Sequence, residues 1–211
     1  MMDFKRHNRI FLILLSALFV LAVAQKTTAE PTKANVYKIK AAFLYNFIKF
    51  VDWPEDKIAD SNDVITIGII GNDPFEDAFE PIKAKKVKDK TLVIKHFPSI
   101  ITYKARYKKD EYKADYGDAF KKCHLLFISS SEKEHIEEII NLVEGGSVLT
   151  VGETAGFIEA GGIINFVMEQ KKVRFEINNA AAKQAELKMR SQLLRLAKKV
   201  IDEKTPKDAE K

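Results

Sequence analysis

Apolar residues recur at helical spacing from about Asn35 to Val51, at Val36, Ile39, Phe43, Phe47 and Phe50, which predicts an amphipathic helix. Trp53-Pro54 ends it, because the residue before a proline is pushed out of the helical region. Val64 to Ile70 is a short, nearly continuous β-branched run bounded by Gly71-Asn72, the pattern of a strand buried on both faces. Asp73-Pro74-Phe75-Glu76 then reads as a helix start, with Pro81 kinking or ending that helix. Thr91 to Phe97 alternates as a strand, and Leu125 to Ile128 is a further buried one. The charged stretch between them, Lys104 to Lys122, carries both signs and reads as a solvated loop with a short helix. Ser131-Glu132-Lys133-Glu134 is a capping box for a helix that turns Ile136, Ile139, Ile140 and Val143 inward and stops at Gly145-Gly146. Val148 to Val151 follows as a strand.

This order predicts an α/β fold, a Rossmann-like, mostly parallel sheet with helices on both faces. The last third changes character. Ile163 to Glu169 and Lys172 to Ile177, joined by Gln170-Lys171, predict an antiparallel hairpin at the edge of the sheet. Asn178 or Asn179 caps a closing helix whose apolar face runs through Leu187, Met189, Leu193, Leu194, Leu196, Ala197 and Val200, with a break allowed at Ser191. The charged residues 202–211 read as a disordered tail.

The first residues carry a different message. Lys5, Arg6 and Arg9 precede an uncharged apolar run from Ile10 to Ala24 that closes on Ala22-Val23-Ala24, the order of a cleavable secretory signal. The run is short for a membrane span of about 20 residues. We therefore expect a signal peptide over 1–24, cleavage between Ala24 and Gln25, a single mature domain over 25–201, and a periplasmic location without membrane insertion.

Composition changes the picture little. The chain has 35 Lys+Arg against 30 Asp+Glu; removing Lys5, Arg6, Arg9 and Asp3 with the signal leaves 32 against 29. Both signs are interspersed, so no nucleic-acid partner is implied. Cys123 is the only cysteine, cannot form an intramolecular disulfide, and opens an apolar run as a small buried hydrophobe. His96, His124 and His135 lack metal-ligand spacing, so neither a metal nor another cofactor is expected.

No nucleophile elbow, zinc-protease pair or phosphate-cradling loop is present. Gly68-Ile69-Ile70-Gly71 is a truncated dinucleotide fingerprint without its third glycine, better read as tight strand-to-helix packing. Ser129-Ser130-Ser131 either holds an anion at a helix N-terminus or simply caps it. Gly152 to Gly156 and Gly161-Gly162 form a loop over the strand ends, where open sheets bind ligands. Glu153, Glu159, Asn165 and Arg174 are the candidate ligand residues there; a carboxylate and a guanidinium could fix the two ends of a zwitterion, or form a plain surface ion pair. Phe43, Tyr45, Phe47 and Trp53, with Leu193, Leu194 and Leu196, are either core or a partner surface.

Five stretches carry a family resemblance: Ala41 to Phe47 with Trp53-Pro54; Gly71-Asn72-Asp73-Pro74-Phe75; Cys123 to Ser129; Gly161 to Phe166 through Arg174 to Asn178; and Ser191 to Ala197. Together they resemble the YfiR/HmsC-like family over nearly the whole mature chain. The resemblance implies a non-enzymatic, often dimeric periplasmic domain that binds and represses the periplasmic sensor part of an inner-membrane diguanylate cyclase, lowering cyclic di-GMP and biofilm formation. The alternative is a small-ligand sensor or binding protein serving a histidine kinase or receptor. The best-known type in the family has disulfides, which Cys123 alone cannot supply, so redox control by bridge reduction is not carried over.

Overall fold

The structure, a computed structural model, describes residues 31–59, 63–83, 85–106 and 111–202. The expected signal and its cleavage junction lie outside the described residues, as do residues 203–211 of the charged tail. Helix α1 (Lys33–Phe50) leads into β1 (Val51–Asp52) and the short α2 (Glu55–Ala59). Strand β2 (Val64–Ile70) follows, then a 3₁₀ turn (Glu76–Phe79), α3 (Glu80–Lys83), β3 (Lys86–Val87) and β4 (Lys90–Phe97). Helices α4 (Ile100–Lys104) and α5 (Glu111–Lys121) lead to β5 (Leu125–Ile128), a second 3₁₀ segment (Ser130–His135), α6 (Ile136–Val143) and β6 (Leu149–Gly152). The chain closes with β7 (Ile164–Glu169), β8 (Lys172–Asn178), α7 (Asn179–Gln184), β9 (Lys188–Met189), α8 (Ser191–Leu196) and β10 (Lys199–Ile201).

Eight strands form one sheet in the order β10-β8-β7-β6-β5-β2-β4-β3, with β4, β2, β5, β6 and β7 mutually parallel. Strand β2 explains why the sheet needs two covers. Ile65, Ile67 and Ile69 point to the face under α1, while Ile70 points to the other, where Ile128, Phe120 and Ile139 lie. All of these isoleucines are shielded from solvent, each stabilising the fold by roughly 1.5–3 kcal/mol. The hairpin follows the expectation closely: β7 and β8 pair antiparallel, and Gln170 and Lys171 both take left-handed backbone (φ 47° and 63°), as a two-residue turn matched to strand twist requires. Asn178 caps α7 by accepting from the Ala181 amide at 2.9 Å.

Four expectations are corrected. The hairpin is not the sheet edge, because β10 pairs with β8 in parallel beyond it. The closing helix is not continuous: Glu186 takes φ 59°, and the chain then runs extended so that Val51 and Asp52 pair with Met189 and Lys188. Only Ser191–Leu196 returns to helix. The cap before α6 comes from Ser129, whose hydroxyl accepts from the Ser131 amide, and the segment it opens is 3₁₀ before it becomes α. After β2, Asp73 accepts from the Phe75 amide in a local turn, and Pro81 sits inside the first turn of α3, where a missing amide proton goes unnoticed.

The stripe of α1 that meets the core is also rotated from the one the pattern suggested. Ala41, Leu44, Phe47 and Ile48 are buried, whereas Ile39 is 45% exposed. The helix carries apolar residues around much of its circumference, so periodicity alone does not fix its inward face. Phe47 settles it, lying 5.6 Å from Phe166 and 5.0 Å from Phe175, centroid to centroid.

Candidate functional site

Strand β2 continues to β4 on one side, and the chain then crosses back to place β5 on the other. The crevice between the carboxyl ends of β2 and β5 is therefore where a sheet of this order would hold a ligand. In this protein the position is filled from within. Glu132, fully buried, accepts at Oε2 from the Ile100 amide (3.1 Å) and the Ser99 hydroxyl (3.2 Å), and at Oε1 from the Ser131 hydroxyl (3.1 Å). Each serine is itself held as an acceptor, Ser131 by the Asn72 amide and Ser99 by the Ile101 amide, so both hydroxyl protons are directed at Glu132. One side chain thus ties together the loops after β2, β4 and β5. Gly71 takes φ 90°, and a Cβ there would strike the Ser131 hydroxyl and Glu132, so the sharp turn out of β2 and the carboxyl group need a glycine between them.

One strand further along, Glu153 leaves the end of β6 towards α1. It pairs with Lys40 at 2.5 Å, accepts from the Tyr37 hydroxyl at 3.0 Å, and accepts from the Ser130 amide at 3.3 Å. Burial, reinforced by Glu153, raises the Tyr37 phenol well above its ordinary range. The anion that the serine run was expected to hold or to forgo is thus the chain's own carboxylate.

The candidate ligand residues do not gather. Glu153 faces α1. Glu159 lines a groove between α6 and α7. Asn165 is buried in β7 opposite Glu176, its Oδ1 without a hydrogen-bond partner among the described residues, and Arg174 is exposed, in a surface ion pair with Glu169 at 3.8 Å. The Gly-rich loop has a packing explanation as well: a Cβ on Gly152 or Gly162 would run into the ring of Phe157, which is wholly buried between them.

Among the candidate partner residues, Phe47, Trp53 and Leu193 are core, since none exposes more than 7% of its surface. Phe43, Tyr45 and Leu194 are half-buried, and Leu196 is 59% exposed. Ile39, outside the candidate set, is exposed as well. Sequence reasoning missed Ile39, which it assigned to the core face, and missed Lys40 and Glu132, whose roles depend on partners far along the chain.

Two buried groups behind β5 complete the chemistry. His124 accepts from the Thr66 amide at Nδ1, and its ring lies edge-on to that of Trp53. Burial, then the charges of Lys57 and Lys90, lower its pKa to about 4. Cys123 is buried against the Ala119 carbonyl, and burial raises its thiol to about 11. Among the described residues no cluster of His, Cys, Asp and Glu could hold a metal ion, and no helix is long and apolar enough to cross a membrane.

The model of the YfiR/HmsC-like family matches residues 37–198. No curated protein is detectably similar to the chain. Among solved structures, a conserved domain protein from Vibrio cholerae O1 biovar El Tor is similar at 12% identity and a TM-score of 0.50, covering 78% of this chain and 60% of its own. A domain from Streptococcus pneumonia described as the ABC domain in complex with L-Trp is similar at 13% identity and a TM-score of 0.53, covering 76% and 60%. The chain therefore spans about 60% of the length of each, and at these identities the likeness is one of fold.

Proposed function

This chain belongs to the YfiR/HmsC-like family, and on that premise we propose that it is a non-enzymatic periplasmic regulator that binds the periplasmic sensor part of a membrane diguanylate cyclase and represses it. At the family level, membership supports a periplasmic regulator of a diguanylate cyclase, in a family that is regulatory and non-catalytic. The observation that favours a protein partner over a small ligand at the strand ends is that Glu132 and Glu153 fill those positions with satisfied hydrogen bonds of their own. A site already saturated by its own side chains offers a ligand little to bind. A protein surface offers area instead, and Ile39 and Leu196 are exposed apolar residues, with Phe43, Tyr45 and Leu194 half-buried.

Such a regulator acts by binding one conformation of its partner better than another. Moving an equilibrium from 99:1 active to 1:99 takes about a 10⁴-fold preference, about 5.5 kcal/mol, within reach of a modest protein interface. The chain acts as a homodimer in this reading. The test is a pull-down of the mature protein against the periplasmic domain of the membrane enzyme encoded beside it, together with cyclic di-GMP quantification in a deletion strain. Binding and a rise in the nucleotide, with more surface attachment, are expected. No binding and no rise would defeat the reading, whereas binding with unchanged nucleotide would move the partner to a histidine kinase.

A further inference from the structure

At one end of the eight-stranded sheet, β4 runs for eight residues while β3 pairs only with Lys90 and Thr91. The Thr91 amide donates to the Asp63 carbonyl and the Phe97 carbonyl accepts from the Gly71 amide, so the odd-numbered residues of β4 turn their backbone groups inward to β2. Leu92, Ile94 and His96 therefore turn theirs outward, beyond the end of β3, and no hydrogen bond among the described residues uses them. A groove of about 430 Å³ lies between the same strand and α5, lined by Lys95 and Phe97 of β4 and by Asp115, Asp118, Ala119 and Lys122. These last four are spaced by three, one and three, a single helical stripe, and the Lys122 amide donates to the Asp118 carbonyl at 3.2 Å to carry the turn past the helix end. The stripe begins with a carboxylate, Asp115, and ends with an ammonium, Lys122, both exposed.

Two separate features meet here: backbone groups without a neighbouring strand, and a charge pattern that reads the same after a half turn. Resting on the homodimer in the reading above, we propose that β4 pairs antiparallel with β4 of a second copy about a two-fold axis near Ile94 and Lys95, joining the two sheets into one. That operation runs the two α5 stripes past each other in opposite directions, so Asp115 of each copy meets Lys122 of the other. An acidic extended segment would be repelled by Asp115 and Asp118, and a basic one by Lys95 and Lys122. A copy of the chain meets the opposite sign at both ends. A lysine on an open edge ordinarily guards against such pairing, but Lys95 shares its groove with Asp115 and Asp118, which answer its charge. Each edge is covered by the other, so the assembly closes at two.

The test is sedimentation equilibrium of the mature protein alone, with circular dichroism melts to confirm that each variant is folded. Wild type is expected to dimerise with a Kd of about 10 µM or tighter. Asp115→Lys and Lys122→Asp each set like charges opposite one another twice per dimer, and each is expected to raise Kd at least about tenfold. The double change Asp115→Lys/Lys122→Asp is expected to return Kd to within about threefold of wild type, and a mixture of the two single variants to form the heterodimer that neither forms with itself. Ile94→Pro removes an outward amide that β2 does not use and is expected to abolish association, whereas Ile94→Ala, which keeps that amide, retains it. A wild type that stays monomeric at about 100 µM overturns this surface and the homodimer, while regulation of the membrane enzyme is judged separately by the pull-down. A dimer that survives both single charge reversals keeps the homodimer and overturns this surface. Weakening by the single reversals that the double change fails to relieve overturns it as well.

Discussion

Replacing Glu132 removes the acceptor shared by the loops after β4 and β5, and with it the anchor of the Ser131 hydroxyl that in turn holds the loop after β2. In Glu132→Ala the Ile100 amide becomes a buried donor without a partner, a loss of about 1–3 kcal/mol. The hydroxyls of Ser99 and Ser131 lose their acceptor too, while each goes on accepting from a backbone amide. Adding the packing of the missing side chain, the total comes to about 3–4 kcal/mol. Glu132→Gln keeps the shape and one acceptor oxygen. Its amide nitrogen faces a donor, so it is expected to lose about 1–2 kcal/mol. For a domain of this size each kcal/mol lowers the melting temperature by about 2–4 °C, so Glu132→Ala is expected to melt roughly 6–16 °C below wild type and Glu132→Gln roughly 2–8 °C below. Thermal and urea melts monitored by circular dichroism read both values. A Glu132→Ala protein that melts within about 2 °C of wild type, or a glutamine variant that falls as far as alanine, would refute the account of Glu132 as a shape-specific acceptor.

The buried pair of Lys40 and Glu153 gives a second test: Lys40→Met is expected to destabilise by about 3–5 kcal/mol in urea melts, and Lys40→Met/Glu153→Met by less than Lys40→Met alone, because the double change strands no charge. His124 is neutral in the fold with a pKa near 4 against about 6.5 when unfolded, so its contribution is complete above pH 6.5 and is lost as pH falls towards 4. Urea melts across that window are expected to show a drop of up to roughly 3 kcal/mol that His124→Gln flattens. Cys123 is expected to resist thiol reagents in the native protein at pH 8 and to react on unfolding, and Cys123→Ser to leave regulation intact; loss of regulation with an unchanged melting temperature would contradict a purely packed thiol. N-terminal sequencing of protein recovered from the periplasmic fraction is expected to begin at Gln25.

The elements that sequence reading places well are those whose cause is local. Strand β2 announces itself through a β-branched run, and the β7–β8 hairpin through two alternating segments around Gln170-Lys171. Strands β9 and β10 have two and three residues, too few to show a period, and the leucines around them imitate a helix face. Only a partner 138 residues away makes the segment near Arg190 extended. The site follows the same division. Glu153 is recognisable as a carboxylate on a Gly-rich loop at a strand end, but its cation, Lys40, lies 113 residues upstream on a helix whose periodicity points elsewhere. Glu132 fits a capping box so well that its real role, as acceptor for a loop 32 residues earlier, leaves no trace in the local pattern.

The pairing of β1 with β9 has a consequence for how the molecule comes into being. Arg190 grips the Asp52 carboxylate with two nitrogens, at 2.8 and 3.0 Å, and its amide donates to the Phe50 carbonyl, so the end of α1 is fastened by a segment 138 residues further along the chain. Asp52, held to about 2 chiefly by that hydrogen bond to Arg190 and then by Lys88, keeps the clasp charged through the neutral range. Until residue 190 has emerged, α1 has no strand to anchor its outgoing end, and the contact it awaits is among the most distant in the chain. The outgoing end of α1 therefore closes only once the segment around Arg190 is in place, late in folding rather than early.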